Sequence, residues 1–131
     1  MYPSNLSAAL FEAADYAECV EAILRAWSLM KNQTSENSGL IVRLSSRLAK
    51  ALCNGVRGGA ISSAMLEEHA AAIHELEEAA FNVPSTDANA DSLIELSRVW
   101  QEWKQAGQPN PEASEEALRK FAQLQLLTPP L

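Results

Sequence analysis

Apolar residues recur at steps of three and four along every long segment of this chain, and no segment alternates with the period of two that marks a strand. β-branched residues are sparse, whereas Ala, Leu and Glu, which favour helix, are abundant. The 131 residues suit one domain, and an apolar content of 47% is typical of a globular protein. The sequence therefore predicts an all-α fold, a single compact bundle of four to five antiparallel helices over residues 1–131.

Five helices are predicted, and each is bounded by turn-forming or capping residues. The first is apolar on more than one side, since Phe11 and Leu29 lie nearly opposite its main stripe, so we expect it to be the central helix. Gly58 and Gly59 end the second, and Ser62 caps the third, with Ile61 expected to pack on the helix that follows. The expected ranges are about 5–31, 38–56, 62–83, 90–106 and 111–126.

The charge of the chain, −7 in total, is unevenly distributed. Residues 62–91 contain seven acidic and no basic residues, whereas residues 35–61 contain four basic residues and one acidic residue. On the second predicted helix the basic residues form one stripe, and on the third the acidic residues form another. The basic stripe comprises Arg43, Arg47, Lys50 and Arg57, and the acidic face comprises Glu67, Glu68, Glu75 and Glu78.

Two interpretations of these stripes are open. The adjacent helices can trade salt bridges along their seam, which sets register more than stability because exposed pairs contribute only about 0–1 kcal/mol each. Alternatively, the acidic face stays free and meets a basic partner, with Phe81 or Trp103 as an exposed aromatic anchor. Seven acids cannot all pair with four bases, so some acidic surface remains in either case.

Composition also limits the classes of partner. An acidic chain is poorly suited to nucleic acid or anionic membranes, where binding depends on Lys and Arg. The two cysteines, Cys19 and Cys53, form no CxxC motif and are expected to be reduced core residues. We expect a cytoplasmic location, since the N-terminus shows no basic region followed by an apolar run.

The sequence contains no motif for catalysis, metal binding or nucleotide binding. The two histidines are five residues apart, so they do not share a helix face as the ligands of one metal do. His69 is expected in the core and His74 at the surface. The segment from His74 to Glu78 is similar to the His-x-Leu-Lys-Gly pattern of histidine phosphotransfer domains at Leu76, but Glu77 and Glu78 replace its Lys and Gly.

These observations predict a non-enzymatic protein-interaction module, an adaptor, inhibitor or immunity-type regulator, with no cofactor and no metal. Its acidic helical face would meet a basic site on another protein. One alternative is a homo-oligomer, such as a dimer, assembled through the complementary charge stripes. Another is a ligand-binding or phosphotransfer-like signalling bundle that uses His74 or His69.

Overall fold

The computed structural model describes residues 3–33 and 36–107, and the prediction of an all-α bundle is confirmed there. Five α-helices follow one another and pack into a compact bundle, and a short π-helical turn, Trp103–Gly107, continues the last of them. The predicted helix over 111–126 lies outside the described residues. The α-helices are α1 (Pro3–Glu12), α2 (Tyr16–Met30), α3 (Ser38–Arg57), α4 (Ser63–Phe81) and α5 (Ala90–Glu102).

The prediction of one helix over 5–31 is wrong, because the chain breaks between α1 and α2. Ala14 adopts a left-handed conformation with φ of 59°. Its N–H donates to the Phe11 carbonyl (3.0 Å), and the Asp15 N–H donates to the Leu10 carbonyl (2.9 Å). This pair of bonds is the Schellman motif that commonly ends helices, and its left-handed residue is usually glycine. The break lets α1 pack back against α2.

The expectation that the first helix is central is also wrong, since α3 occupies that position. It packs against α1, α2, α4, α5 and the π-helical turn. Within the described residues, α4 and α5 share no contact of similar extent although they are consecutive. Leu29, which lies nearly opposite the main apolar stripe, is exposed.

One cluster of buried side chains joins α2, α3, α4 and α5, and Leu10 and Phe11 of α1 pack against it. Two serines are buried within this apolar interior, and each accepts a hydrogen bond. Ser45 Oγ accepts from Trp100 Nε1 at 2.9 Å, and Ser7 Oγ accepts from Arg47 Nη1 at 2.8 Å. These bonds satisfy hydroxyls that would otherwise destabilise the core by about 1–3 kcal/mol each.

Local signals account for the ends of α4. Ser62 caps it as predicted, since its Oγ accepts from the Met65 N–H at 3.2 Å. Ile61, just before the cap, is buried beside Gly55 of α3. None of the helices in the described ranges is both long enough and apolar enough to span a bilayer.

Candidate functional site

Lys50 of the basic stripe and two acidic residues of α4 make ion pairs with other elements of the fold. Lys50 of α3 pairs with Glu95 of α5 (3.2 Å), on the side where α1 and α5 lie. The acids of α4 instead meet Lys31 after α2 and Lys104 in the π-helical turn. None of these three ion pairs joins the basic stripe to the acidic residues of α4.

Two acidic residues on the flanks of α4 hold this helix to its neighbours. Glu75 Oε2 accepts a hydrogen bond from Trp27 Nε1 at 3.2 Å and lies 4.0 Å from Lys31 Nζ. Glu77, on the opposite flank, lies 2.6 Å from Lys104 Nζ, and its side chain is only 14% exposed. Glu75 was predicted as a partner-binding residue, but its carboxylate is already engaged within the fold.

The remaining acids point away from the bundle. At about 100° per residue, the side of α4 opposite Leu76 carries one continuous row of exposed residues. We call this row the outward face of α4. Among the described residues, no basic side chain from another element pairs with its acids, and Glu68 on the adjoining flank is likewise exposed and unpaired. The outward face consists of Glu67, Ala70, Ala71, His74, Glu78 and Phe81.

Of the two aromatic anchors that the sequence predicted, one is exposed and the other is buried. Phe81, at the C-terminal end of the outward face, is 45% exposed. Trp103 is only 4% exposed, so its prediction as an exposed anchor is wrong. It follows α5 directly and packs into the cluster that contains Trp100 and Leu48, where contact with a partner is blocked.

Three of the four residues of the basic stripe line a groove between α1, α3 and α5. Arg43, Arg47 and Lys50 lie along one side of α3, and the groove has a volume of about 390 Å³. Phe11 of α1 contributes an aromatic wall, and Asp91 and Glu95 of α5 lie among the residues that line the groove. We call this feature the basic groove. Arg57, the fourth residue of the predicted stripe, is exposed near the end of α3 and does not line it.

The cations of the basic groove differ in how they are held. Arg47 donates to the buried Ser7 Oγ, and Lys50 pairs with Glu95. Glu95 is also bound by Arg98 at 2.6 Å, and hydrogen bonds from Arg98 and Lys50 lower the pKa of its carboxyl group. Arg43 is exposed, and within the described part of the chain it makes no ion pair or hydrogen bond.

The two histidines differ in exposure: one is half-buried and the other lies at the surface. His69 is half-buried and therefore not enclosed in the core as expected. His74 is exposed as predicted, and its Nε2 lies 3.3 Å from Glu78 Oε1. A carboxylate at this distance would repel a phosphoryl group on the imidazole, so this arrangement disfavours phosphotransfer.

Both cysteines are free and buried, as predicted. Burial raises the pKa of the Cys19 thiol to about 11, and the nearby Arg47 offsets only part of this effect. The thiol donates a hydrogen bond to the Ser7 carbonyl at 3.3 Å. Burial also raises the pKa of Cys53. Since the thiolate is the nucleophile, neither site has the environment of a reactive cysteine.

Over residues 3–33 and 36–107, no group of three or more His, Cys, Asp or Glu side chains is arranged to hold a metal ion. Comparison of the chain with protein-family models, with curated proteins and with solved structures found no match.

Sequence reasoning missed the basic groove because it treated the stripe as a flat surface. The spacing of Arg43, Arg47 and Lys50 was visible, but the walls come from elsewhere in the chain. Phe11 reaches this position only because the chain breaks at Ala14, where no glycine or proline signals a helix end.

Proposed function

We propose that this protein is a non-enzymatic interaction module of the cytoplasm, an adaptor, inhibitor or immunity-type regulator that offers the outward face of α4 to a basic site on another protein. Glu67, Glu78 and the adjoining Glu68 supply the charge, and Phe81 supplies the apolar contact. The partner is a protein, since an acidic face repels nucleic acid and anionic membranes.

This proposal rests on a difference among the acidic residues of α4: some bind other elements of the fold, and others do not. Glu75 and Glu77 bind groups on neighbouring elements, so their charges serve the fold. Glu67 and Glu68 are exposed with no basic partner in the described residues. The side chain of Glu78 is 65% exposed, and its carboxylate lies 3.3 Å from His74 of its own helix. Charges that do not stabilise the fold are available for recognition.

Physical chemistry assigns different roles to the charges and to the ring. Exposed charges raise the rate of encounter with an oppositely charged surface. They contribute little affinity if they remain solvated in the complex. Aromatic side chains that become fully buried in an interface typically account for a large part of the binding free energy. Phe81 stands at one end of the acidic row, so a partner that covers the row also covers the ring.

The test is capture of partners from a lysate of the source cells by the purified protein, at graded salt concentrations. The test variant combines Glu67→Lys with Glu78→Lys, which inverts the outward face. The control combines Glu18→Lys with Glu21→Lys, which makes the same change in net charge at exposed positions of α2. We expect a stoichiometric basic protein to bind wild type and control, to be released by salt, and to bind the test variant at least tenfold more weakly.

Phe81→Ala separates recognition from simple charge attraction. Loss of the Phe81 ring should weaken binding, while the salt dependence of binding stays unchanged because the number of charges is the same. The proposal is rejected if the two charge-reversed variants bind equally well or equally poorly. Melting temperatures within a few degrees of wild type are required of all variants, so that unfolding is not mistaken for lost recognition.

The basic groove favours one alternative, self-assembly, because acidic and basic surfaces on different sides of one subunit can meet between two copies. Sedimentation of the purified protein at low and high salt decides between the two functions. A dimer or larger species that dissociates with added salt supports self-assembly, and a monomer at all salt concentrations leaves the interaction with another protein.

A further inference from the structure

The basic groove is a site that the interaction of α4 does not use. It lies on the side of α3 that faces α1 and α5, while the proposed partner surface is the opposite side of α4. Its volume of about 390 Å³ falls within the range of pockets that hold small molecules, roughly 300–1,000 Å³. The groove can therefore bind a ligand whether or not α4 binds a partner.

The charge of the groove is unusual for this chain. The net charge of the protein is −7, yet α3 carries four basic residues without an acid, and three of them line the same groove. Arg43, Arg47 and Lys50 are spaced by four and three residues, so they lie on one side of the helix and repel one another. An anion between them removes this repulsion.

Two acids, Asp91 and Glu95, line the groove together with its three cations, so the cations outnumber the acids by one. Glu95 is shared between Lys50 and Arg98. Arg47 is positioned by its hydrogen bond to the buried Ser7, and Arg43 has no partner in the described residues. Two guanidinium groups one turn apart, one of them already oriented, form the kind of donor set that binds carboxylates and phosphates.

The rest of the lining defines the other half of the ligand. The ring of Phe11 is half-buried and packs edge-on against Tyr16, with ring centroids 5.8 Å apart. Val42, buried in α3, adds an aliphatic surface, and Ser92 adds a hydroxyl group at the α5 side. This lining suits a molecule with an apolar body as well as a charged end.

We propose that the basic groove binds a small organic oxyanion, a carboxylate or phosphate monoester with an aromatic or aliphatic body. Arg43 and Arg47 bind the oxyanion, and the apolar body lies against Phe11 and Val42. Lys50 stays paired with Glu95 and adds positive potential. The groove selects against inorganic anions, which lack the apolar body, and against neutral aromatic molecules, which lack the charge.

Titration of the full chain, followed by amide chemical shifts, tests this proposal with four probes: phenyl phosphate, phenylacetate, inorganic phosphate and benzyl alcohol. We expect phenyl phosphate or phenylacetate to bind in the micromolar to millimolar range, with shifts at residues of α1, α3 and α5 around the groove. The relative affinities of these two probes identify which oxyanion the site prefers. Inorganic phosphate and benzyl alcohol should bind at least tenfold more weakly.

Two matched variants assign the binding to the groove. Arg43→Gln removes an exposed charge from it, and Arg57→Gln removes an exposed charge from the same helix outside it. Arg43→Gln should weaken binding about tenfold, and Arg57→Gln should leave it unchanged. Phe11→Leu should weaken binding of phenyl phosphate and leave the weak binding of inorganic phosphate as it is.

Three results overturn the proposal. The first is the absence of binding by either aromatic oxyanion at 10 mM in a folded protein. The second is an equal effect of the two arginine variants, which indicates general attraction to positive charge. The third is salt-dependent self-association that changes the amide chemical shifts of the same groove residues without added ligand. That result would mean that the groove binds the acidic face of a second copy.

Discussion

The helices α3 and α4 have nearly equal lengths, 20 and 19 residues, and opposite charges, yet they are buried to very different degrees. α3 has ten buried residues and packs against every other helix, whereas α4 has two and packs mainly on α3 and α2. Both show helical period in the sequence. The difference lies in the size of their apolar side chains, because six of the 19 residues of α4 are alanine.

This contrast shows that the spacing of apolar residues predicts a helix, whereas the size of their side chains determines how much of the helix is buried. Leu44, Leu48 and Leu52 fill the centre of the bundle and leave α3 no free side apart from the basic groove. Alanine buries little area, so α4 contributes less to the core and keeps a whole side in solvent. A helix that stabilises the fold less is also one whose surface can change with little effect on folding.

Leu48→Ala and Ile73→Ala compare the two helices directly. Leu48 is fully buried in α3, so its truncation should lower the free energy of unfolding by about 3 kcal/mol. Ile73 of α4 is half-buried, and its truncation should lower it by about 1 kcal/mol. Urea unfolding followed by circular dichroism measures both values, and equal losses would show that α4 is as central as α3.

Gly55→Ala tests how tightly α3 is packed at its C-terminal end. Alanine favours helix by up to about 1 kcal/mol over glycine, but a Cβ here would lie 2.6 Å from Ile61 Cγ1 and 3.0 Å from Tyr16 Cβ. We expect a net loss of about 1–3 kcal/mol, because overpacking outweighs the gain in propensity.

Gly39→Ala is the control on the same helix, since a Cβ at that position meets nothing within 4 Å. Thermal unfolding should show a gain of up to about 1 kcal/mol for Gly39→Ala and a loss for Gly55→Ala. Adding Ile61→Val to Gly55→Ala removes Ile61 Cδ1, the atom nearest to the new Cβ, and should restore part of the loss. A gain for Gly55→Ala would mean that α3 ends in a loose environment.

Two helix ends show why some of the fold was predictable and some was not. α3 ends in a Schellman motif with Gly59 in the left-handed position, and α1 ends in the same motif with Ala14 there. Glycine is the usual signal for this conformation, so the first end was read from the sequence and the second was missed. Because this end was missed, two predictions about the first helix are wrong: that it is continuous over 5–31 and that it is central.

The candidate surfaces divide in the same way. The acidic row on α4 follows from spacing within one helix, so Glu67, Glu78 and Phe81 were identifiable from the sequence. The engagement of Glu75, the burial of Trp103 and the walls of the basic groove depend on contacts between elements distant along the chain. No local pattern of residues specifies such contacts.

Ala14→Gly tests the break between α1 and α2 through the sign of a small effect. A left-handed alanine is disfavoured by about 1–2 kcal/mol, and glycine adopts this conformation without that strain, although it also gains entropy in the unfolded chain. The variant should therefore be more stable by about 0.5–1 kcal/mol, or a few degrees in melting temperature. An uninterrupted helix over 5–31 predicts the opposite, a loss of about 0.5–1 kcal/mol.

Ala13→Gly is the matched control, since the Ala13 N–H makes a helical bond to the Ala9 carbonyl at 3.0 Å and glycine there should only destabilise. If both substitutions destabilise equally, the chain does not break at Ala14, and the position of Phe11 in the basic groove is lost with it.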